Sequence, residues 1–156
     1  MTNKKPVILV IDDQVTVIRV MERMLADDYE VISATSGESG ITIASEKLPD
    51  LILLDMVMPG LSGIEVCQKL SNDPLSRNIP IIFVSAMDDR HNEESGFRAG
   101  AVDYINKPPS PAIVRARIKV HLEKTRQTKF IEAVASGYLS DLEKIRGTAK
   151  ALLVAE

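Results

Sequence analysis

The sequence predicts an α/β fold: a doubly wound, five-stranded parallel sheet whose last helix is extended. Three observations predict it. Five short apolar runs alternate with stretches of helical periodicity along the 156 residues. The clearest runs show no polar alternation, so they read as strands covered on both faces. Carboxylates, a hydroxyl and an amine stand where these runs end, and open parallel sheets hold their ligands beyond the carboxyl ends of the strands.

The elements follow in order. "VILVI" (7–11) is a β-branched strand that ends on Asp12 and Asp13. "VTVIRVMERMLAD" is a helix with Ile18, Met21 and Leu25 on one face. "YEVISA" (29–34) is a weaker second strand, and "SGESGITIASEKL" is a helix whose start is marked by Ser36. "LILLD" (51–55) is the third strand. In "LSGIEVCQKLSND", Ser62 caps a helix and Glu65 completes a capping box. "PIIFVSA" (80–86) is the fourth strand, "DDRHNEESGFRAGA" a polar helix, and "VDYIN" (102–106) the fifth strand. A long helix starts near Ser110. Each crossover must return the chain to the same edge, so the strands are parallel. Right-handed crossovers put helices on both faces.

Composition bounds the function. The hydrophobic fraction of 45% supports one substantial core. A net charge of −3 does not favour direct nucleic-acid binding. No apolar run is long enough to span or insert into a membrane. The N-terminal run meets Asp12 and Asp13 too soon for a signal peptide. A single cysteine, Cys67, forms no internal disulfide and fits a reducing compartment, so a cytoplasmic location is expected.

The strand ends carry the chemistry. Asp12 and Asp13 end strand one, Asp55 strand three, Ser85 strand four and Lys107 strand five. Three carboxylates on one rim repel, and a small divalent cation relieves them; hard oxygen ligands suit Mg²⁺ best. One carboxylate is then left as a nucleophile toward phosphorus. Phosphoryl transfer needs positioning and charge neutralisation. Lys107 supplies a cation, and Ser85 with the amide after it supplies donors.

"VIDD" (10–13), "LLDMVMPGLSG" (53–63), "FVSA" (83–86) and "DYINKP" (103–108) together resemble the response regulator receiver domain of two-component signalling. The resemblance covers residues 5 to 122, which gives a receiver domain at 1–122 and a helical extension at 123–156. It implies a flavodoxin-like sheet of strand order 2-1-3-4-5. It implies Asp55 as phosphoacceptor, with Asp12, Asp13, Asp55 and the Val57 carbonyl around Mg²⁺, for which Mn²⁺ can substitute. Asp12 would act mainly through water. Ser85 and Tyr104 match the switch pair, Lys107 the phosphoryl-contacting cation, and the Lys107–Pro108 bond is expected to be cis. The implied partner is a histidine kinase or phosphotransfer protein, and the implied output a change of the face formed by helix 4, strand 5 and helix 5. The protein is then a signalling module, catalysing only its own phosphorylation and slow autodephosphorylation. Val57 and Met87 occupy positions that, in the family, govern water access to the acyl phosphate. Apolar residues at both imply a long-lived phosphorylated state.

Other features are read more plainly. His91 and His121 lack a ligand or triad spacing and read as solvated surface. Cys67 reads as a small filler and the methionines as core packing. An aspartate-nucleophile phosphohydrolase of the haloacid dehalogenase type would need a second acid at position 57, which is Val. Beyond Leu122, Ile131, Ala135, Tyr138, Leu142, Ile145, Ala149 and Leu152 recur at steps of four and three, a weak heptad seam. Parallel pairing with a second copy through this seam, as a dimerising signalling helix, is expected, against an amphipathic helix folded back on its own domain. "RARIKVHLEKTRQ" resembles linkers that precede cyclic-dinucleotide enzymes or kinases. The end at "VAE" is expected either of a shortened chain or of a stand-alone regulator, with no helix-turn-helix after the receiver.

Overall fold

The computed structural model describes residues 4–86 and 90–154. The elements are β1 (Val7–Ile11), α1 (Val15–Leu25), β2 (Glu30–Ala34), α2 (Gly37–Lys47), β3 (Leu51–Leu54), α3 (Gly63–Asn72), β4 (Ile81–Ser85), α4 (Arg90–Ala99), β5 (Asp103–Asn106) and α5 (Pro111–Val154). Every strand pair is parallel, and the sheet order is β2-β1-β3-β4-β5. β1 lies inside the sheet between β2 and β3, which brings the ends of β1 and β3 side by side. Ile11 pairs with Leu54, and Asp55 N–H donates to the Ile11 carbonyl at 2.9 Å.

Alternate residues of the strands feed two cores. Leu9, Ile11, Ile52, Leu54 and Phe83 bury against Ala44 of α2, Val66, Cys67 and Leu70 of α3, and Ala99 of α4. Ile8, Val10, Leu51, Leu53, Val84 and Ile105 bury against Ile18, Met21 and Leu25 of α1 and Val114 and Ile118 of α5. Two covered faces leave no place for polar alternation, which is why the central strands read as unbroken apolar runs.

The helix starts are locally specified. Ser36 accepts from Ser39 N–H to cap α2. Ser62 and Glu65 form the reciprocal capping box of α3. Pro111 opens α5, where a missing N–H is no loss. Cys67 is buried, its thiol donates to the Ala99 carbonyl at 3.5 Å, and burial pushes it up to about 11 against a smaller pull from Ser71. It is an inert core side chain.

His121 corrects the sequence reading. Its side chain is 13% exposed, and Nε2 lies 2.9 Å from Asp103 Oδ2. Arg117 donates to both oxygens of the same carboxylate, at 2.9 and 3.0 Å. Asp103 therefore ties the start of β5 to the first turns of α5. The His91 side chain lies outside the described residues. The boundary between the two compact units falls between Leu122 and Glu123. Among the described residues no helix is long and apolar enough to cross a membrane.

The Asp103 clamp gives stability a pH signature. Burial alone would raise this carboxyl, but hydrogen bonds from His121, the Tyr104 amide and Arg117 outweigh it and hold it below the usual range. A folded value below the unfolded one stabilises above the unfolded value and fades as pH falls through the folded one. Asp103→Asn is therefore expected to cost about 2–3 kcal/mol at pH 7. The difference from the parent protein should narrow below the ordinary carboxylate range. Denaturant melts across pH check this, and a gap independent of pH would contradict it.

Candidate functional site

The site forms where β1, β3, β4 and β5 end. Asp12 and Asp13 follow β1 directly, and Asp55 follows β3. Oxygens of Asp12, Asp13 and Asp55 all lie within 4.8 Å of one another. Asp12 and Asp55 are buried, and Asp13 is exposed. Lys107 reaches in from the end of β5, with Nζ 2.8 Å from Asp12 Oδ2 and 3.6 Å from Asp55 Oδ1. Its own N–H donates to the Ser85 carbonyl at 3.0 Å, which draws the ends of β4 and β5 together. Ser85 is buried at the end of β4.

Electrostatics make the cluster a candidate cation site. Burial is the largest influence raising the Asp55 carboxyl, and Asp12 and Asp13 raise it further. The Lys107 ammonium and the Val57 N–H pull the other way, and the net direction is up. Asp12 is held by Lys107 and by the Gln14 N–H, which donates to Oδ1 at 2.9 Å. A donor set of three carboxylates fits a hard, oxygen-seeking divalent ion such as Mg²⁺.

Tyr104 is half-buried on β5, opposite Phe83, and packs against the core shared with α2, α3 and α4. The Lys107–Pro108 bond is cis. Val57 is exposed just beyond Asp55, to which it donates its N–H. Met87 lies outside the described residues. Ile131, Tyr138, Leu142 and Ile145 are exposed along α5, as is Ala135; the Leu152 side chain lies outside the description.

Gly63 is a site residue that reasoning from side-chain chemistry missed. A Cβ there would fall on the Asp55 carbonyl oxygen and within 2.7 Å of Met56 Cα. The Gly63 N–H donates to the Met56 carbonyl at 2.9 Å, so the start of α3 lies tight against the segment carrying Asp55. The available signal was a glycine at the first position of a helix, where it weakens the helix unless space demands it.

A family model for the response regulator receiver domain matches residues 8–119. The chain belongs to this family. Its receiver is 40% identical over 113 residues to Response regulator PleD of Caulobacter vibrioides, covering 72% of this chain and 25% of that protein. It is 38% identical over 119 residues to a probable cyclic di-GMP phosphodiesterase of Vibrio cholerae, covering 76% of this chain and 27% of that one. This chain thus spans about a quarter of these two relatives. Among solved structures, a putative response regulator from Chloroflexus aurantiacus superposes with a TM-score of 0.74 at 35% identity, covering 77% of this chain and 99% of that one. Receivers are signalling modules, and the sheet order and helices on both faces are those of this family.

Repulsion within the acidic cluster is measurable. In the presence of a chelator at pH 7, Asp13→Asn is expected to melt above the parent receiver. Mg²⁺ at a hundred times its dissociation constant should stabilise the parent by about 2.7 kcal/mol, and the variant much less. Equal responses to Mg²⁺ in thermal unfolding would contradict the site.

Proposed function

We propose that this receiver accepts a phosphoryl group on Asp55 from a histidine kinase or phosphotransfer protein and signals through the face formed by α4, β5 and α5. The observation that carries the reading is the approach of Lys107 Nζ to both Asp12 and Asp55, at 2.8 and 3.6 Å. A nucleophilic carboxylate, two further acids and an ammonium around one point are what phosphoryl transfer requires.

An Asp55 oxygen attacks phosphorus. A P–O bond forms as the donor's P–N bond breaks, and that electron pair returns to the donor imidazole. Lys107, already aimed at Asp55, holds the incoming phosphoryl oxygens. Asp12, Asp13 and Asp55, with the Val57 carbonyl, would hold Mg²⁺, which when bound supplies charge neutralisation to the transferred group. Ser85 donates its hydroxyl to the phosphoryl group, and Tyr104 moves into the space this opens. That local charge change biases two arrangements of one face. An apolar cleft of about 440 Å³ lined by Val17, Val20 and Met21 of α1 and by Pro108 and Pro109 adjoins Lys107. It offers the phosphodonor protein a place to dock.

A second reading concerns output. Both curated relatives extend far beyond the matched receiver, and one is named a probable cyclic di-GMP phosphodiesterase. This receiver would then control a cyclic-dinucleotide enzyme carried on the same polypeptide.

Incubation with acetyl phosphate and Mg²⁺ is expected to add one phosphoryl group to the intact mass. Asp55→Asn should abolish the addition, and Lys107→Ala should suppress it at least tenfold, about 1.4 kcal/mol of barrier. Addition to Asp55→Asn would refute the assignment. With Val57 and Met87 limiting water, the acyl phosphate is expected to decay with a half-time of minutes or longer; decay in seconds would contradict that role.

A further inference from the structure

We propose that the extension pairs in parallel with the same segment of a second copy of this chain, with Asp141 set against the partner's Arg146. Along this stretch of α5, Ile131, Val134, Tyr138, Leu142 and Ile145 are 65%, 55%, 65%, 44% and 66% exposed. All but Val134, which flanks it, mark one stripe at heptad spacing, with Ala135, Leu142 and Ala149 at one seam position and Ile131, Tyr138 and Ile145 at the other. Gly137 and Gly147 fall outside the seam, and a Cβ at either would meet nothing within 4 Å. They weaken the lone helix without touching the stripe.

Charge selects the partner and its direction. Asp141 and Arg146 flank the seam five residues apart, the spacing at which flanking positions meet across a parallel pair. Two attractive contacts result, related by the twofold axis. The flanking pair of Gln127 with the partner's Glu132 adds no repulsion. Turned antiparallel, with Leu142 opposite the partner's Tyr138, the seam gains Glu132 against the partner's Arg146. It also sets Asp141 against Asp141 of the partner subunit. The ion pair made inside the extension, among the described residues, is Arg126–Glu123 at 3.1 Å. Stoichiometry follows from size. Leu142 stacked on Ile145 would by itself also suit three or four helices. The Ala135 and Ala149 layers do not, because a wider bundle would leave a cavity at each alanine layer.

The full chain is expected to scatter light as two copies at tens of micromolar. Ile145→Cys should form a disulfide-linked dimer on mild oxidation, above the background set by the buried Cys67. Asp141→Lys or Arg146→Glu alone should weaken pairing about tenfold, and the double variant should recover to within about threefold of the parent. Circular dichroism of each variant checks that the receiver stays folded. A monomer, a mass above two chains, or cross-links only between Ile145→Cys and Ala135→Cys chains would overturn the proposal. So would failure of the double variant to recover.

Discussion

Three carboxylates within 4.8 Å of one another repel strongly when two of them are buried, and the carboxyl end of the sheet is organised around that repulsion. Lys107 is the protein's own answer, 2.8 Å from Asp12. It can serve only because β5 is the neighbour of β4 and its N–H is pinned to the Ser85 carbonyl. Burial, with Asp12 and Asp13 beside it, still holds the Asp55 carboxyl above its ordinary value. A cation, or a phosphoryl group brought with one, changes that balance most at this residue. Charge arriving here would therefore be felt by Lys107 and by the β4–β5 ends together, which is the physical basis of the proposed switch.

Much of this was legible in the sequence because it rests on local rules. Unbroken apolar runs marked β1, β3 and β4, since burial on both faces removes polar alternation. Ser62 and Glu65 announced the start of α3 through a capping box confined to four residues. The acids, Ser85 and Lys107 stood at the ends of those runs, so the rule for parallel sheets gathered them. The strand order came with the family resemblance, because periodicity says nothing about which strands are neighbours.

What stayed hidden depends on contacts between elements. His121 looked solvated because its partner, Asp103, lies 18 residues away on another element. Gly63 looked like an ordinary motif residue because its role is to leave room beside the Asp55 backbone. Up to Leu122, α5 follows the usual amphipathic pattern, burying Val114 and Ile118. Beyond it the pattern changes to an exposed seam. One helix thus serves two environments, and only its first turns are tied to β5 by the Asp103 clamp.

The central claim is that Asp13 and Asp55 share one divalent ion while Lys107 faces the group bound to Asp55. A crystal structure with Mg²⁺ and beryllofluoride tests it most directly. The account predicts one ion at about 2.0–2.1 Å from both carboxylates, and the Lys107 ammonium against the beryllofluoride. An ion bound elsewhere, or Lys107 turned away into solvent, would contradict it.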